Sequence, residues 1–479
     1  MKIMIIAEGS YPYVTGGVSS WIHGLIRQMP EHEFVIFAIG AKSADRGKFK
    51  YELPGNVTEV KEVFLDAYLD EESVWGRRYR LNGGQRRDIR ALLGGEGHID
   101  WGRIFDLVRS DKFRDAGEFL GSKDYFDIVQ ELCRDKYAMV PFTEMFWTVR
   151  SMVLPLLLTL KHDIPKADVY HSVSTGYAGV VGALAKHVHG SPLVLTEHGI
   201  YSREREEEII KADWVKGYFK DLWIEYFYRL SSCIYDHADK VVTLFNRNKE
   251  IQIELGCDPS KITVVPNGVH AQEYEGLPER PEDGKFLIGA IVRIVPIKDI
   301  KTMLRSFALV KERLPEAELY VMGPVEEDEE YYGECLQLVE AMGIEGVTFT
   351  GRVNVKEYAG RMDLLLLTSI SEGQPLAVLE GMACGKPFVT TNVGSCRELL
   401  NGADDGIGPS GLVAPVMDVE MIAKHVLKLA ASPELRQEMG RNALARVKRF
   451  YKQSDVIASY RSLYGALKEG KRWPESALN

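Results

Sequence analysis

Short, continuously apolar runs separated by polar loops recur along the chain, each of a length suited to a strand buried on both faces. In the first half they fall at residues 2–7 (KIMIIA), 34–40 (FVIFAIG), 169–174, 192–196, 240–244 and 262–266. In the second half they fall at 286–292, 317–322, 347–350, 363–369 and 387–391. Helical periodicity fills the gaps. Residues 19–29 place Trp21, Leu25 and Ile26 on one face, a Gly/Ala-rich helix spans 176–189, and a long amphipathic one runs around 214–235. Helices over 300–313, 330–342 and 376–384 alternate with the later strands, and a last one over 454–468 lines up Tyr460, Leu463, Tyr464 and Leu467. Strands alternating with helices predict an α/β protein of two Rossmann-like, doubly wound domains.

One stretch departs from this alternation. Between about 66 and 166 the pattern is helical, with Trp101, Ile104, Phe105 and Val108 on one face and Phe142, Met145, Phe146 and Val149 on another. It reads as a helical insertion whose aromatics form a small core of their own, or partly face a partner or acceptor. Residues 274–285 carry prolines, glycines and charge without periodicity, as an interdomain linker does. The expected division is therefore 1–278 for the first domain, completed by the C-terminal helix at about 452–479, and 279–451 for the second.

At 479 residues the chain is too long for one core. Its net charge of −10 argues against a nucleic-acid partner, because duplex binding needs a basic face. The six cysteines (Cys133, Cys233, Cys257, Cys335, Cys384 and Cys396) contain no CxxC pair, so reduced thiols are expected and neither a zinc site nor a disulfide framework is indicated. The first residues acquire Glu8 and prolines too soon for a signal peptide. The most apolar stretch, 152–160, is interrupted by Pro155 and too short to cross a bilayer. These features predict a soluble, cytoplasmic protein that reaches a membrane only through a partner.

The candidate chemistry centres on residues 368–386, TSISEGQPLAVLEGMACGK. A buried strand breaks into the loop Ser371-Glu372-Gly373-Gln374, and Pro375 opens a helix through Leu376. Unpaired N–H groups and the positive dipole end would face whatever lies above the strand, which makes an anion site. Glu372 and Glu380 suit sugar hydroxyls, since an ionised carboxylate accepts two hydrogen bonds. The same residues would also serve an ordinary turn with solvated glutamates. Gly16-Gly17, between a strand and a helix, allows close backbone approach to a ligand or simply makes a turn. His198 ends a strand where open sheets bind ligands, or is structural. Arg293 and Lys298, five residues apart past another strand end, can straddle a diphosphate or stay solvated. Gathered in one crevice, these groups describe a nucleotide-sugar site.

Arg293-x4-Lys298 followed by Glu372-x7-Glu380, within S-x-x-E-G-x-P-x-x-x-x-E-x-M-A, resembles the retaining glycosyltransferases of family 4, which have the GT-B fold. The start Y-P-Y-V-x-G-G-V-S-S-W-I and the helical insertion resemble, more narrowly, the cytosolic glycosyltransferases of Pel exopolysaccharide synthesis. The resemblance implies that Arg293 and Lys298 bind the donor diphosphate and that Glu380 binds the ribose hydroxyls. It places Glu372 on the transferred sugar, His198 near its 6-hydroxyl, and Gly17 near the phosphates. It further implies a UDP-sugar donor without a cofactor, a polysaccharide acceptor and a membrane-bound synthase or export partner. Where that family often has Asn-Gly-Val-Asp, His270 follows Val269 here. No D-x-D pair ends a strand, and Asp404-Asp405 lies in a Gly-rich loop, so metal independence is expected. The rivals are a GT-B sugar-nucleotide epimerase, which the Arg-x4-Lys and Glu-x7-Glu pairing disfavours, and a non-catalytic nucleotide-sugar-binding subunit of a membrane synthase. An NAD-dependent dehydrogenase lacks its G-x-G-x-x-G.

Overall fold

β1 (Lys2–Glu8) feeds two cores at once, because successive side chains of a strand point to opposite faces. Ile3, Ile5 and Ala7 enter one apolar cluster, and Met4 and Ile6 enter the other. The same division runs through β2 (Glu33–Gly40), where Phe34 and Ile36 go one way and Val35 and Phe37 the other. This is why the strands carry unbroken apolar runs. The computed structural model describes residues 1–66, 76–278, 283–402, 405–471 and 473.

The first half forms a parallel, seven-stranded sheet in the order β3-β2-β1-β4-β5-β6-β7. Its further strands are β3 (Val57–Phe64), β4 (Val169–Ser172), β5 (Leu193–Glu197), β6 (Lys240–Thr243) and β7 (Ile262–Val264). One face is covered by α1 (Gly17–Arg27), which buries Ile22, Leu25 and Ile26. The insertion supplies α2 (Gly83–Leu92), α3 (Trp101–Arg109), α4 (Ala116–Leu120), α5 (Lys123–Lys136) and α6 (Phe142–Lys161). Side chains of Asn82, Asp100, Asp115 and Ser122 cap the first four of these, which fixes where each begins. The insertion does not keep a core to itself. Trp101, Phe105, Met145 and Val149 join the cluster that holds Met4 and Ile6, bridged by α7 (Tyr177–His189). Residues 67–75, where the insertion was expected to begin, lie outside the described residues.

The long helix expected near 214–235 is α9 (Gly217–His237), and a further helix, α8 (Tyr201–Lys211), packs on it and leads into it through 212–216. α10 (Asn246–Glu254) follows β6. The second half is a parallel, six-stranded sheet in the order β10-β9-β8-β11-β12-β13. These are β8 (Phe286–Ile291), β9 (Ala317–Met322), β10 (Val347–Gly351), β11 (Leu364–Leu367), β12 (Phe388–Thr391) and β13 (Gly411–Ala414). Around them lie α11 (Ile300–Arg313), α12 (Glu329–Ala341), α13 (Val355–Ala359), α14 (Leu376–Ala383), α15 (Cys396–Asn401), α16 (Val419–Ala430) and α17 (Pro433–Phe450).

The chain crosses between halves twice, and the crossings touch. Val269 N–H donates to the Tyr451 carbonyl (2.8 Å), and Gln453 N–H donates to that of Val269 (3.1 Å). Gly268 permits this approach, because a Cβ there would lie 2.6 Å from the backbone of Gln453. Residues 279–282, within the expected linker, lie outside the described residues. Past the crossing, α18 (Gln453–Lys468) returns to the first sheet and buries Val456, Tyr460, Leu463 and Tyr464 beside Ile3 and Val169. Among the described residues, no helix is long and apolar enough to cross a membrane.

Candidate functional site

The carboxyl ends of both sheets open into one cleft of about 600 Å³. Gly16, Gly17 and His198 line it from the first half; Arg293, Lys298 and the segment from Glu372 to Leu376 line it from the second. Glu380 is the one expected site residue that does not line it. It sits further along α14, half-buried, near Tyr274 and Lys356, and burial raises its pKa.

The loop after β8 is tied down by its neighbour. Thr368, just past β11, donates its hydroxyl to the carbonyls of Lys298 and Asp299, at 3.1 Å each. Asp299 takes a left-handed conformation (φ 45°) and caps α11 through Thr302 N–H. Lys298 Nζ is thereby held 2.5 Å from Glu372 Oε1, which also accepts from the Ser369 hydroxyl at 2.5 Å. Both charged side chains are largely buried. Arg293 is more exposed and pairs with Glu327 at 2.8 Å. The two expected cations therefore each rest on a carboxylate, and an incoming anion competes with Glu327 and Glu372 for them.

Pro375 stands at the N-cap of α14 rather than inside it. No side chain caps this helix, and Leu376 and Ala377 line the cleft, so the dipole end faces it. Gly373 and Gln374 also have packing roles. A Cβ on Gly373 would lie 2.7 Å from the His198 carbonyl of the other half. The Gln374 amide accepts from Asn267 N–H (2.5 Å) and donates to the Leu244 carbonyl (3.4 Å), so it latches the halves together. At Gly16 and Gly17 a Cβ would meet no protein atom within 4 Å. Packing does not demand glycine there; the space beside them belongs to the cleft.

His198 packs edge-on against Trp21 of α1, with ring centroids 4.7 Å apart, and its buried Nε2 has no hydrogen-bond partner among the described residues. Burial pushes its pKa down to about 4, so the imidazole is neutral near pH 7. Behind it, His171 is held by the Tyr464 hydroxyl (2.6 Å) and that of Thr196 (2.8 Å).

Sequence reasoning did not single out Glu8, Tyr201, Glu204 or Arg205, which also line the cleft. Glu8 ends β1 and accepts from Ala178 N–H (3.1 Å) at the start of α7 and from the Tyr201 hydroxyl (2.9 Å). Burial pushes its pKa up, opposed by the Arg205 charge. Gly176 makes room for this contact, since a Cβ would fall 2.3 Å from the Tyr201 ring. A polar residue at the C-terminal end of a parallel strand is the signal that could have found Glu8.

Two family models match the chain. One, described as a domain of unknown function (DUF3492), covers residues 1–260, and the other, glycosyl transferases group 1, covers residues 277–446. Curated relatives include the N-acetyl-alpha-D-glucosaminyl L-malate synthase of Bacillus anthracis, 30% identical over 46% of this chain and 55% of the relative. The match thus spans about half the length of that relative. The UDP-Gal:alpha-D-GlcNAc-diphosphoundecaprenol alpha-1,3-galactosyltransferase of Escherichia coli is 27% identical over 63% of this chain and 77% of the relative. Among solved structures, sucrose-phosphate synthase from Thermosynechococcus elongatus superposes with a TM-score of 0.61 at 14% identity, covering 98% of this chain and 100% of that one. Anabaena Alr3699/HepE in complex with UDP gives 0.60 at 14% identity, over 97% and 100%. At such identity the likeness establishes the fold: two Rossmann-like domains in the GT-B arrangement.

Proposed function

This chain belongs to the DUF3492 family and carries a group 1 glycosyl transferase domain, and from that premise we propose that it is a retaining, metal-independent hexosyltransferase. In this reading it moves a hexose from a UDP-sugar to a growing exopolysaccharide. One observation carries the reading: Lys298, Arg293 and the uncapped start of α14 converge on a cleft that also holds Glu372. These are the groups a departing diphosphate needs, fixed in place before charge develops on it.

Donor binding moves Lys298 from Glu372 to phosphate oxygens, while Arg293 exchanges Glu327 for the same diphosphate. Glu372, still held by Ser369, is then free to accept hydrogen bonds from the transferred sugar. The neutral His198 offers its unpartnered Nε2 to that sugar's 6-hydroxyl region. Glu380, one turn along α14 from the cleft-lining Leu376, takes the ribose hydroxyls in this reading. The acceptor hydroxyl attacks the anomeric carbon from the face that UDP leaves, and its proton passes to a phosphate oxygen of UDP.

A UDP-sugar donor is supported by the Escherichia coli relative, whose name specifies UDP-Gal, and by the Anabaena structures with UDP and UDP-glucose. A Pel-like acceptor and a membrane-bound export partner rest on the Y-P-Y-V-x-G-G-V-S-S-W-I start. Calorimetric screening of UDP-hexoses, followed by assays of UDP release, tests the reading. Lys298→Ala and Arg293→Ala should each lower turnover on the order of a hundredfold or more. Glu380→Ala should chiefly weaken nucleotide binding, and EDTA should leave binding and transfer intact. Near-normal turnover in all three variants would overturn the site, and strict Mn²⁺ or Mg²⁺ dependence would overturn the metal-free part of the proposal.

A further inference from the structure

The first domain carries a second groove, of about 350 Å³, between α6 and the start of α9. Trp147 and Trp214 line it, and Tyr218 adjoins it through the lining Glu144; these residues are 51%, 69% and 49% exposed. Trp214 stands edge-on to Trp223, with centroids 5.4 Å apart, so its ring is held upright. Aromatic side chains this exposed, gathered from separate elements onto one groove, mark an interaction site. The rim is polar. Glu144 is fixed by Lys216 (2.9 Å) and by the Tyr218 hydroxyl, and Thr148 and Ser151 add hydroxyls to the lining.

Flat aromatic faces bordered by a fixed carboxylate, an ammonium and hydroxyls match a pyranose. Its C–H face packs on an indole while its hydroxyl edge hydrogen-bonds to the rim. A bilayer surface fits less well, because the charged side chains of the lining, Glu144 and Lys216, neutralise each other and offer anionic lipid no net positive charge. α8 links the groove to the cleft. Its first turns supply Tyr201, Glu204 and Arg205 to the cleft, and its end leads through 212–213 to Trp214. At about 1.5 Å per residue the helix spans on the order of 16 Å, the reach of a few sugar rings. We propose that this groove is a glycan-chain site, which holds the polysaccharide beyond the residue undergoing transfer. The choice of ligand rests on the transferase reading, but binding itself can be measured without turnover.

Native affinity electrophoresis of the full chain through gels containing soluble starch, dextran or glycol chitosan tests the site. At least one of these polymers should retard the wild type and Lys298→Ala equally. Trp147→Ala/Trp214→Ala should bind at least tenfold more weakly while keeping the wild-type melting temperature and UDP-hexose hydrolysis. Trp214→Ala alone guards against misfolding, since that side chain is mostly in solvent, and Trp214→Tyr should restore part of the binding. Retardation by none of the polymers, equal retardation of the double variant, or loss in Lys298→Ala would each overturn the proposal. So would a double variant that loses only its co-sedimentation with phosphatidylglycerol vesicles. Retained glycan binding in a protein inert towards every UDP-sugar would sink the transferase reading and leave this site standing.

Discussion

Glu197, at the end of β5, is fully buried and accepts from Tyr235 (2.7 Å), Gln252 (2.8 Å) and Tyr201 N–H (3.2 Å). Desolvation nevertheless dominates and raises its pKa to about 7. A carboxyl whose pKa is raised on folding binds its proton more tightly in the native state. Its contribution to stability is therefore complete below the unfolded pKa, near 4.5, and is lost as pH rises through about 7. Between pH 5 and pH 8 this one group should cost up to roughly 3 kcal/mol. Denaturant melts at the two pH values should show a smaller difference for Glu197→Gln than for the wild type; parallel losses in both would mean that Glu197 is charged throughout. The neighbouring His198 was legible as a candidate because it follows an apolar run that ends a strand. Glu8 occupies the same kind of position on β1 but reads locally as the solvated end of a run. Nothing near it in sequence announces that Ala178 and Tyr201 close over it. Gln374 was legible as a loop residue at the site, whereas its grip on Asn267 depends on a contact between domains.

At the scale of elements, the central strands were readable because both faces are buried, which leaves no polar residue to interrupt the run. β3 and β13 were not, and both are edge strands. β3 leaves Thr58 and Glu59 exposed, which breaks its apolar pattern, and β13 lies between Pro409 and Pro415 after the glycines Gly406 and Gly408, a stretch that reads as loop. The insertion was readable as helical from its spacing. Its shared core was not, because Met4 and Val149 are brought together by tertiary packing alone. The contact of the two crossings was equally hidden, although Gly268 marks it. In Gly268→Ala the new Cβ would press on the Gln453 backbone, which cannot rotate aside as a side chain does. That variant should lose about 1–3 kcal/mol, read as a lower midpoint in calorimetric melts. An unchanged midpoint would mean that the crossings part without cost.

For the molecule as a whole, the decisive feature is that neither half owns the site. Lys298, Arg293, Glu372 and the start of α14 belong to the second domain, while His198 and Gly16-Gly17 belong to the first. The halves are held in register by Gln374 against Asn267 and by Glu398, which accepts from Asn246 N–H (3.0 Å) and its amide (3.1 Å). The Gly373 and His198 backbones meet where the two sheets face each other. Closure of this kind keeps water from the reacting carbon and favours transfer over hydrolysis. The proposed function carries a stereochemical consequence: with the diphosphate anchored on the second domain and His198 beside the sugar, the acceptor would enter on the face that UDP vacates. The alternative route to retention passes through a glycosyl-enzyme and needs a carboxylate nucleophile on the opposite face. Glu372 keeps its Ser369 hydrogen bond once Lys298 turns to the donor, which in the proposed reading suits hydrogen bonding to the sugar rather than attack. The product should therefore keep the α configuration of the donor. NMR of the anomeric proton in the first transferred residue decides the point: an α signal is expected, and a β-linked product would sink both the retaining assignment and the front-face route even if UDP-sugar binding were confirmed.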